Sequence, residues 1–434
     1  MLTEGTPYPG LRQTWWPMLL LFLAANIFSI DKAIVGVLAE PIRTDFGITD
    51  VQMSLLLGLA YNLLSGIFGL FLGTLVDRQV RRTLLACSII LWSLSTVAGG
   101  LAPNFHWFFL FRGLVGLGEA CVAPAALSLI ADMFPPHQRG RALGGYLIGA
   151  TIGTALSSII PGAIVGANLH LMVPGFGLLV PWRSAFLICG MMGPIIGLLF
   201  FTVREPVRRG LSLVAPTDTT RKTTILKKLA FLSKRRATIV PLFAGFCFFY
   251  IAFVGIASWT APFVTRTYGL SLASFANIMG LILLIGGGTG YIFGGFVADS
   301  ALGQRRGGRL KIMIMLPLIA LPGAFAGFAP TATFALVQLA FISLTTPMLN
   351  VAMNASVQEL VPNDMRGFSY ALLSVVSALP AGAGGPLAIA YVTQDILGNP
   401  GKIGLSFLIV GLPALLASSL CFMLARRAYL SATH

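Results

Sequence analysis

Asp31, Lys32, Arg112 and Glu119 stand inside stretches of sequence that are otherwise almost wholly apolar. Near the centre of a membrane-spanning helix each costs at least ~2.5–3.5 kcal/mol on an insertion scale, so each needs a partner or a water-filled cavity. The chemistry open to such a set is proton exchange. Burial favours the neutral form of a carboxyl group, and a nearby guanidinium favours the charged form. A group under both pulls changes protonation when its partner or its access to water changes. Glu119 is the first expectation for a proton carrier and Asp31 the second. Arg112 and Lys32 then hold the carboxylates when ionised, and a released Arg112 can take an anionic solute group in its planar fork. Arg112 and Glu119 are seven residues apart, two turns along one face of a helix. Gly113, Gly116 and Gly118 leave that helix thin enough for close neighbours. The alternative for all four charges is an ion-pair network with no part in transport, although apolar packing replaces such a network at little cost.

The elements that position these residues follow from composition. Charged residues are 10% of the 434 and the AVILMFWYC set is 56%, with mean hydropathy +0.87. Too few charges remain to coat a soluble body of this size, and the same balance excludes disorder. The fold class is therefore an all-α membrane protein. A span needs about 20 mostly apolar residues, and twelve such segments are expected, near 15–40, 53–76, 83–101, 107–131, 142–166, 184–203, 238–264, 272–298, 311–329, 332–358, 368–393 and 402–426. The first is long enough to span and is expected to be retained rather than cleaved.

With the N-terminus inside, the inner segments hold 23 Lys and Arg and the outer loops 4. Both termini are thus expected on the cytoplasmic side. The net charge of +15 serves topology and contact with anionic membrane lipids, and no nucleic-acid partner is implied. Within the longest inner segment, Ile225, Leu226, Leu229 and Leu232 recur at helical spacing among Lys227, Lys228, Lys234, Arg235 and Arg236. That pattern suits an amphipathic helix on the inner leaflet, with a solvated linker as the alternative. The expected layout is a six-helix bundle over 1–203, a basic linker over 204–237 and a second six-helix bundle over 238–434.

The two halves repeat one another. GTLVDRQVRR ends span two and GFVADSALGQRR ends span eight, matching Gly73 and Asp77 to Gly295 and Asp299 at an offset of 222. After spans four and ten, Asp132 and Arg139 match Glu359 and Arg366 at an offset of 227. Parallel repeats about an axis along the membrane normal give this pattern. At the second offset Glu119 corresponds to Thr346, and Arg112 to Leu339 beside Gln338. The second half carries no comparable charges, so the first is expected to titrate while the second supplies neutral hydrogen bonds and apolar surface. Tyr250, Asn277, Gln338 and Asn350 are the polar candidates for a cavity, each with helix packing as its alternative role.

The motif G-x-L-x-D-R-x-x-R-R and the duplicated twelve-span layout resemble the major facilitator superfamily. In that family the motif closes a cytoplasmic gate, which the resemblance carries onto Gly73, Asp77, Arg78, Arg81 and Arg82, with Asp299 in the partial copy. The resembled fold also sets span one beside span four, bringing Asp31 and Lys32 within reach of Arg112 and Glu119. Asp31-Lys32, FGITDVQMSLL, RGLVGLGEA and SLIADMFPP are similar to bacterial Spinster-like transporters. That branch implies a lysolipid- or sphingolipid-like amphiphile, or another organic anion, as substrate.

Other classes fit poorly. No G-x-x-x-x-G-K-[ST] phosphate loop is present. His106, His137, His170 and His434 lie at span ends, in loops or in the tail, and the five cysteines are isolated, so neither an enzyme nor a metal site is expected. No cofactor is expected. The reading is a secondary transporter of a small organic or amphiphilic solute, coupled to protons, working by alternating access as a monomer in a bacterial inner membrane. An uncoupled uniporter of an organic anion shares the fold and the gates, and stands as the alternative.

Overall fold

The computed structural model describes residues 8–68, 79–208, 228–362 and 365–431. Among them, eleven helices are long and apolar enough to cross a membrane. In chain order these are α1 (Leu11–Val37), α2 (Asp50–Phe68), α3 (Arg81–Gly100), α4 (Phe105–Met133), α5 (Pro136–Gly166), α6 (Pro181–Phe200), α7 (Arg236–Tyr268), α8 (Leu272–Asp299), α9 (Gly308–Phe328) and α10 (Ala332–Leu360). The eleventh long helix is the last span, α12 (Pro400–Ser431). The segment expected at 368–393 is helical but interrupted, and is labelled α11 (366–396). Arg366–Leu379 passes through a π-helical turn at Pro380–Gly384 into Gly385–Tyr391, and a second π turn follows at Val392–Ile396. Pro386 offers no N–H to the carbonyl four residues back, so the ladder widens there instead of continuing. A two-stranded hairpin, Met172–Val173 with Gly177–Leu178, lies between α5 and α6.

The chain divides into two compact units, Met1–Leu211 with Leu270–Leu284, and Ser212–Gly269 with Ile285–His434. The first turns of α8 thus pack with the first unit. A β-carbon at Gly162 of α5 would overlap that of Ala276, so the two backbones approach closely only because glycine stands there. In the first unit α1 packs along α5 and α3 along α6, and in the second α7 packs along α12. Large apolar side chains such as Ile195, Leu198, Ile292 and Phe296 remain exposed, as a hydrocarbon solvent permits.

Each unit carries an acid–base tie at its basic end. Arg81, almost fully buried at the start of α3, pairs with Asp132 at the end of α4 and with Glu205 at 2.7 Å. The Glu205 carboxylate also accepts the main-chain N–H of Arg81 and Arg82, at 3.2 and 3.0 Å. It therefore caps α3, satisfying N–H groups that a helix start leaves open. In the second unit Arg309, at the start of α9, pairs with Glu359 at 3.3 Å, and Tyr429 donates to the same carboxylate at 2.6 Å. Asp132 and Glu359 are the acids matched in the sequence repeat. At the opposite end of the first unit, Arg183 reaches Asp45 at 2.9 Å and donates to the carbonyls of Gly100 and Ala102.

Of the linker, residues 228–234 are helical. Leu232 is buried, Lys228 lies over the ring of Phe368, and Arg235 donates to the Leu360 carbonyl at 2.6 Å. This part of the linker helix packs on the second unit. Ile225, Leu226 and Lys227 fall outside the described residues.

Candidate functional site

Three of the buried charges of the first unit, Asp31, Arg112 and Glu119, meet where α1, α2 and α4 converge. Asp31 is 1% exposed, and Arg112 and Glu119 are each 3% exposed. Arg112 and Glu119 share a face of α4 with Gly116 between them. A β-carbon at Gly116 would overlap the main-chain oxygen of Tyr61 and sit 3.1 Å from its carbonyl carbon, so glycine is what lets α2 lie against α4. That approach brings the Tyr61 hydroxyl to Glu119, to which it donates at 2.6 Å. The Tyr61 ring also lies under the Arg112 guanidinium, 5.9 Å from centroid to Cζ. A π-helical turn at Leu55–Leu59 immediately precedes Tyr61 and sets its rotation.

α4 breaks directly after Glu119. Its first segment ends there and the second starts at Val122, with Ala120 and Cys121 as a turn. Pro124 has no N–H for the Ala120 carbonyl, which explains the interruption. Gly118 faces the other way, and a β-carbon there would sit 2.9 Å from that of Trp92 on α3.

Arg112 donates to the main-chain carbonyl of Asp31 at 3.3 Å. No ion pair within 4 Å joins Arg112 to either carboxylate among the described residues. Both carboxyl oxygens of Asp31, Oε1 of Glu119, Nε of Arg112, Nε1 of Trp92 and Oγ1 of Thr96 are buried without a hydrogen-bond partner. Such groups are rare in folded proteins. Lys32 is next to Asp31 in sequence but points elsewhere. It is exposed, 5.8 Å from the Phe28 ring centroid, and within electrostatic reach of Glu119.

In the second unit Asn350 of α10 donates to the Tyr250 hydroxyl of α7 at 2.7 Å and to the Thr346 carbonyl at 3.1 Å. Phe246 stacks on Tyr250 at 4.5 Å. Gln338 is half-buried with its side-chain oxygen unpaired, while Asn277 is exposed on the part of α8 that belongs to the first unit. The structure thus joins Tyr250 with Asn350 but brings neither Gln338 nor Asn277 to them through any described hydrogen bond.

Of the expected gate residues, Gly73, Asp77 and Arg78 lie outside the described residues. Arg81 and Arg82 stand in the tie at the start of α3, where Arg82 also donates to the Val203 carbonyl at 2.8 Å. Asp299 is exposed at the end of α8, without an ion pair among the described residues. Sequence reasoning missed Tyr61, Trp92, Thr96 and Glu205. Signals existed for each: Tyr61-Asn62 is a polar pair in an apolar run, Trp92 and Thr96 share a helix face, and Glu205 is an acid in a basic segment.

Comparison with known proteins identifies the family and the fold. The Major Facilitator Superfamily matches residues 21–385. An MFS-type efflux pump of Mycolicibacterium smegmatis is 25% identical over 98% of this chain and 96% of its own length. A hexuronate transporter of Bacillus subtilis is 26% identical over 92% of each chain. Among solved structures, a bacterial homolog of the human lysosomal transporter Spinster aligns with a TM-score of 0.79 at 23% identity, covering 98% of both chains.

Proposed function

Since the chain belongs to the Major Facilitator Superfamily, as a multi-pass membrane transporter of small organic solutes, we propose that it moves an amphiphilic or organic-anion solute, of lysolipid or sphingolipid type, by proton-coupled alternating access. The observation that carries the coupling is a mismatch of charge. Two buried carboxyl groups, Asp31 and Glu119, face one buried guanidinium, Arg112, while Lys32 is exposed. Buried charge is tolerated when it is paired. The set is neutral when one carboxyl carries a proton and the other is ionised, so it is built to hold one exchangeable proton.

Glu119 is the carrier in this reading. It accepts a hydrogen bond from Tyr61 on one oxygen and leaves the other open. Arg112 lies beside it on the same helix face, ready to bind an anionic group when the proton neutralises Glu119. Asp31 receives or releases the compensating charge. The Tyr250–Asn350 pair gives the second unit a neutral polar contact, suited to a hydroxyl or amide of the solute. Both termini lie on the cytoplasmic side, as the distribution of Lys and Arg supports, and the motif carrying Asp77 and Arg81 closes that side.

One pH unit supplies about 1.4 kcal/mol per proton, and 100 mV adds ~2.3 kcal/mol per charge moved. Glu119→Gln keeps the shape and the Tyr61 contact but cannot titrate. In proteoliposomes with an imposed pH gradient, the variant is expected to lose gradient-driven net flux while still binding solute. Wild-type coupling in E119Q removes Glu119 as the carrier, and pH-insensitive flux in the wild type returns the protein to a uniporter.

A further inference from the structure

At the end of the first unit away from the Arg81 tie, a cavity of about 310 Å³ opens beside the hairpin between α5 and α6. Its two charged lining residues are Asp45, from the connection between α1 and α2, and Arg183, in the first turn of α6. Leu101 and Pro103, just after α3, and Phe176 and Leu178 of the hairpin give it apolar walls. The charged pair is firmly held. Arg183 reaches Asp45 Oδ2 through Nε and Nη2 at 3.1 and 2.9 Å, and commits Nη1 to the carbonyls of Gly100 and Ala102 at 3.2 and 2.7 Å. Trp182 Nε1 donates to the same Oδ2 at 3.2 Å, and the guanidinium lies 4.6 Å from the Trp182 ring centroid and 5.3 Å from that of Phe46. Three donor atoms thus converge on Oδ2, while Oδ1 and one N–H of Nη2 take no partner among the described residues.

The hairpin is a built element. Val173-Pro174-Gly175-Phe176 has proline second and glycine third, with φ +83° at Gly175 and the Phe176 N–H donating to the Val173 carbonyl at 3.0 Å, the pattern of a type II turn. The Leu179 N–H donates to the Leu171 carbonyl at 2.9 Å, and the Leu171 N–H to Ser184 Oγ at 3.1 Å. Phe176 and Leu178 are nevertheless 58% and 61% exposed. Small-molecule sites are concave and mostly apolar, with a few fixed polar groups and volumes from about 300 Å³ upward. We infer that this cavity is a binding site for an uncharged amphiphile, whose hydroxyl- or amide-bearing head pairs with Asp45 Oδ1 and the open Arg183 N–H while its apolar body lies on Phe176 and Leu178. A hydroxyl or a primary amide both donates and accepts, which matches one open acceptor beside one open donor. Arg183 already neutralises Asp45, so a charged head finds no counter-charge in the cavity. The site uses none of Asp31, Arg112 and Glu119, and does not depend on what those residues do with a proton.

The test uses the full chain in phosphatidylcholine nanodiscs and a monoacylglycerol with a photoreactive diazirine in its acyl chain. Cross-linked peptides are mapped by mass spectrometry as the probe concentration is raised. Labelling is expected to saturate and to fall within residues 101–103 and 171–183. Unlabelled monoacylglycerol competes, whereas the fatty acid and the alkyltrimethylammonium of the same chain length compete weakly. Phe176→Ala is expected to raise the half-saturating concentration about tenfold, and Leu178→Ala severalfold, as apolar contact is lost. Both positions are exposed, so the variants fold. Met172→Ala, on the same hairpin but outside the cavity lining, keeps the wild-type value. Labelling that rises without saturation and is alike for all three heads means that the hairpin only lies against membrane lipid, and overturns the inference. Saturable labelling confined to other peptides overturns it too, as does wild-type half-saturation in both Phe176→Ala and Leu178→Ala.

Discussion

Replacing Gly116 with alanine tests the construction of the site without touching any of its polar groups. The new β-carbon would overlap the Tyr61 carbonyl oxygen, sit 3.1 Å from its carbonyl carbon and 3.3 Å from its Cα. Carbon atoms rest about 3.5–4.0 Å apart, so α2 must retreat on the order of 1 Å. Because the obstacle is main chain, no rotamer change relieves it. The Tyr61–Glu119 hydrogen bond, now 2.6 Å, then passes beyond bonding distance. Loss of a bond to an ionisable group is worth ~1.5–3 kcal/mol, or about a tenfold to hundredfold fall in coupled flux. Alanine's better helix propensity returns at most ~1 kcal/mol. Gly113→Ala is the internal control: its β-carbon meets the tip of Leu64 at 3.0 Å and the Ala60 carbonyl oxygen at 3.4 Å. A leucine tip can rotate away, so Gly113→Ala is expected to stay within about threefold of wild type. The assay is pH-driven solute flux in proteoliposomes, with thermal melting of the purified protein beside it. Equal flux and melting for Gly116→Ala and wild type refute the claim that this glycine sets the Tyr61–Glu119 contact.

Tyr61→Phe removes the hydroxyl but keeps the ring beneath Arg112. The pH midpoint of coupled flux is expected to move up by about 1–2 units, as for loss of one hydrogen bond of ~1.5–3 kcal/mol to an ionised carboxylate; an unmoved midpoint counts against the pairing. Glu205→Gln weakens the cap on α3 and leaves buried Arg81 with Asp132 as its remaining charged partner. Differential scanning should record a loss of ~1–2 kcal/mol, with unchanged melting as the contrary result. Arg183→Lys cannot span Asp45 and the two carbonyls with one ammonium group. Its thermal stability should fall by about 1 kcal/mol, and faster cleavage by an added protease in the hairpin-bearing loop would report the same loosening.

The helices and the four membrane-embedded charges were legible because a charge in hydrocarbon is costly enough to stand out in any sequence. The acid–base ties were half legible: the repeat marked Asp132 and Glu359, but their arginine partners at the starts of α3 and α9 emerged only in three dimensions. Tyr61, Trp92 and Thr96 were hidden because uncharged polar side chains are common in spans. Their value depends on helix rotation, which the π turn before Tyr61 alters. Lys32 shows the converse. Adjacency to Asp31 suggested a shared role, yet one residue along an α-helix turns the side chain by roughly 100°. The split allegiance of α8 was invisible for another reason: the sequence repeat is symmetric, and close approach through Gly162 is a property of surfaces rather than of spacing.

Arg112 grips the backbone of α1 and not its acid side chain, and this separates joinery from chemistry. A bond to a peptide carbonyl is indifferent to what residue 31 carries and to whether that residue holds a proton. The seam between α1 and α4 therefore keeps its fastening through every change of charge around it, and Asp31 is free to vary in protonation, or in evolution, without the two helices coming apart. A protein built this way can retune its coupling by single substitutions at position 31 while its scaffold stays fixed.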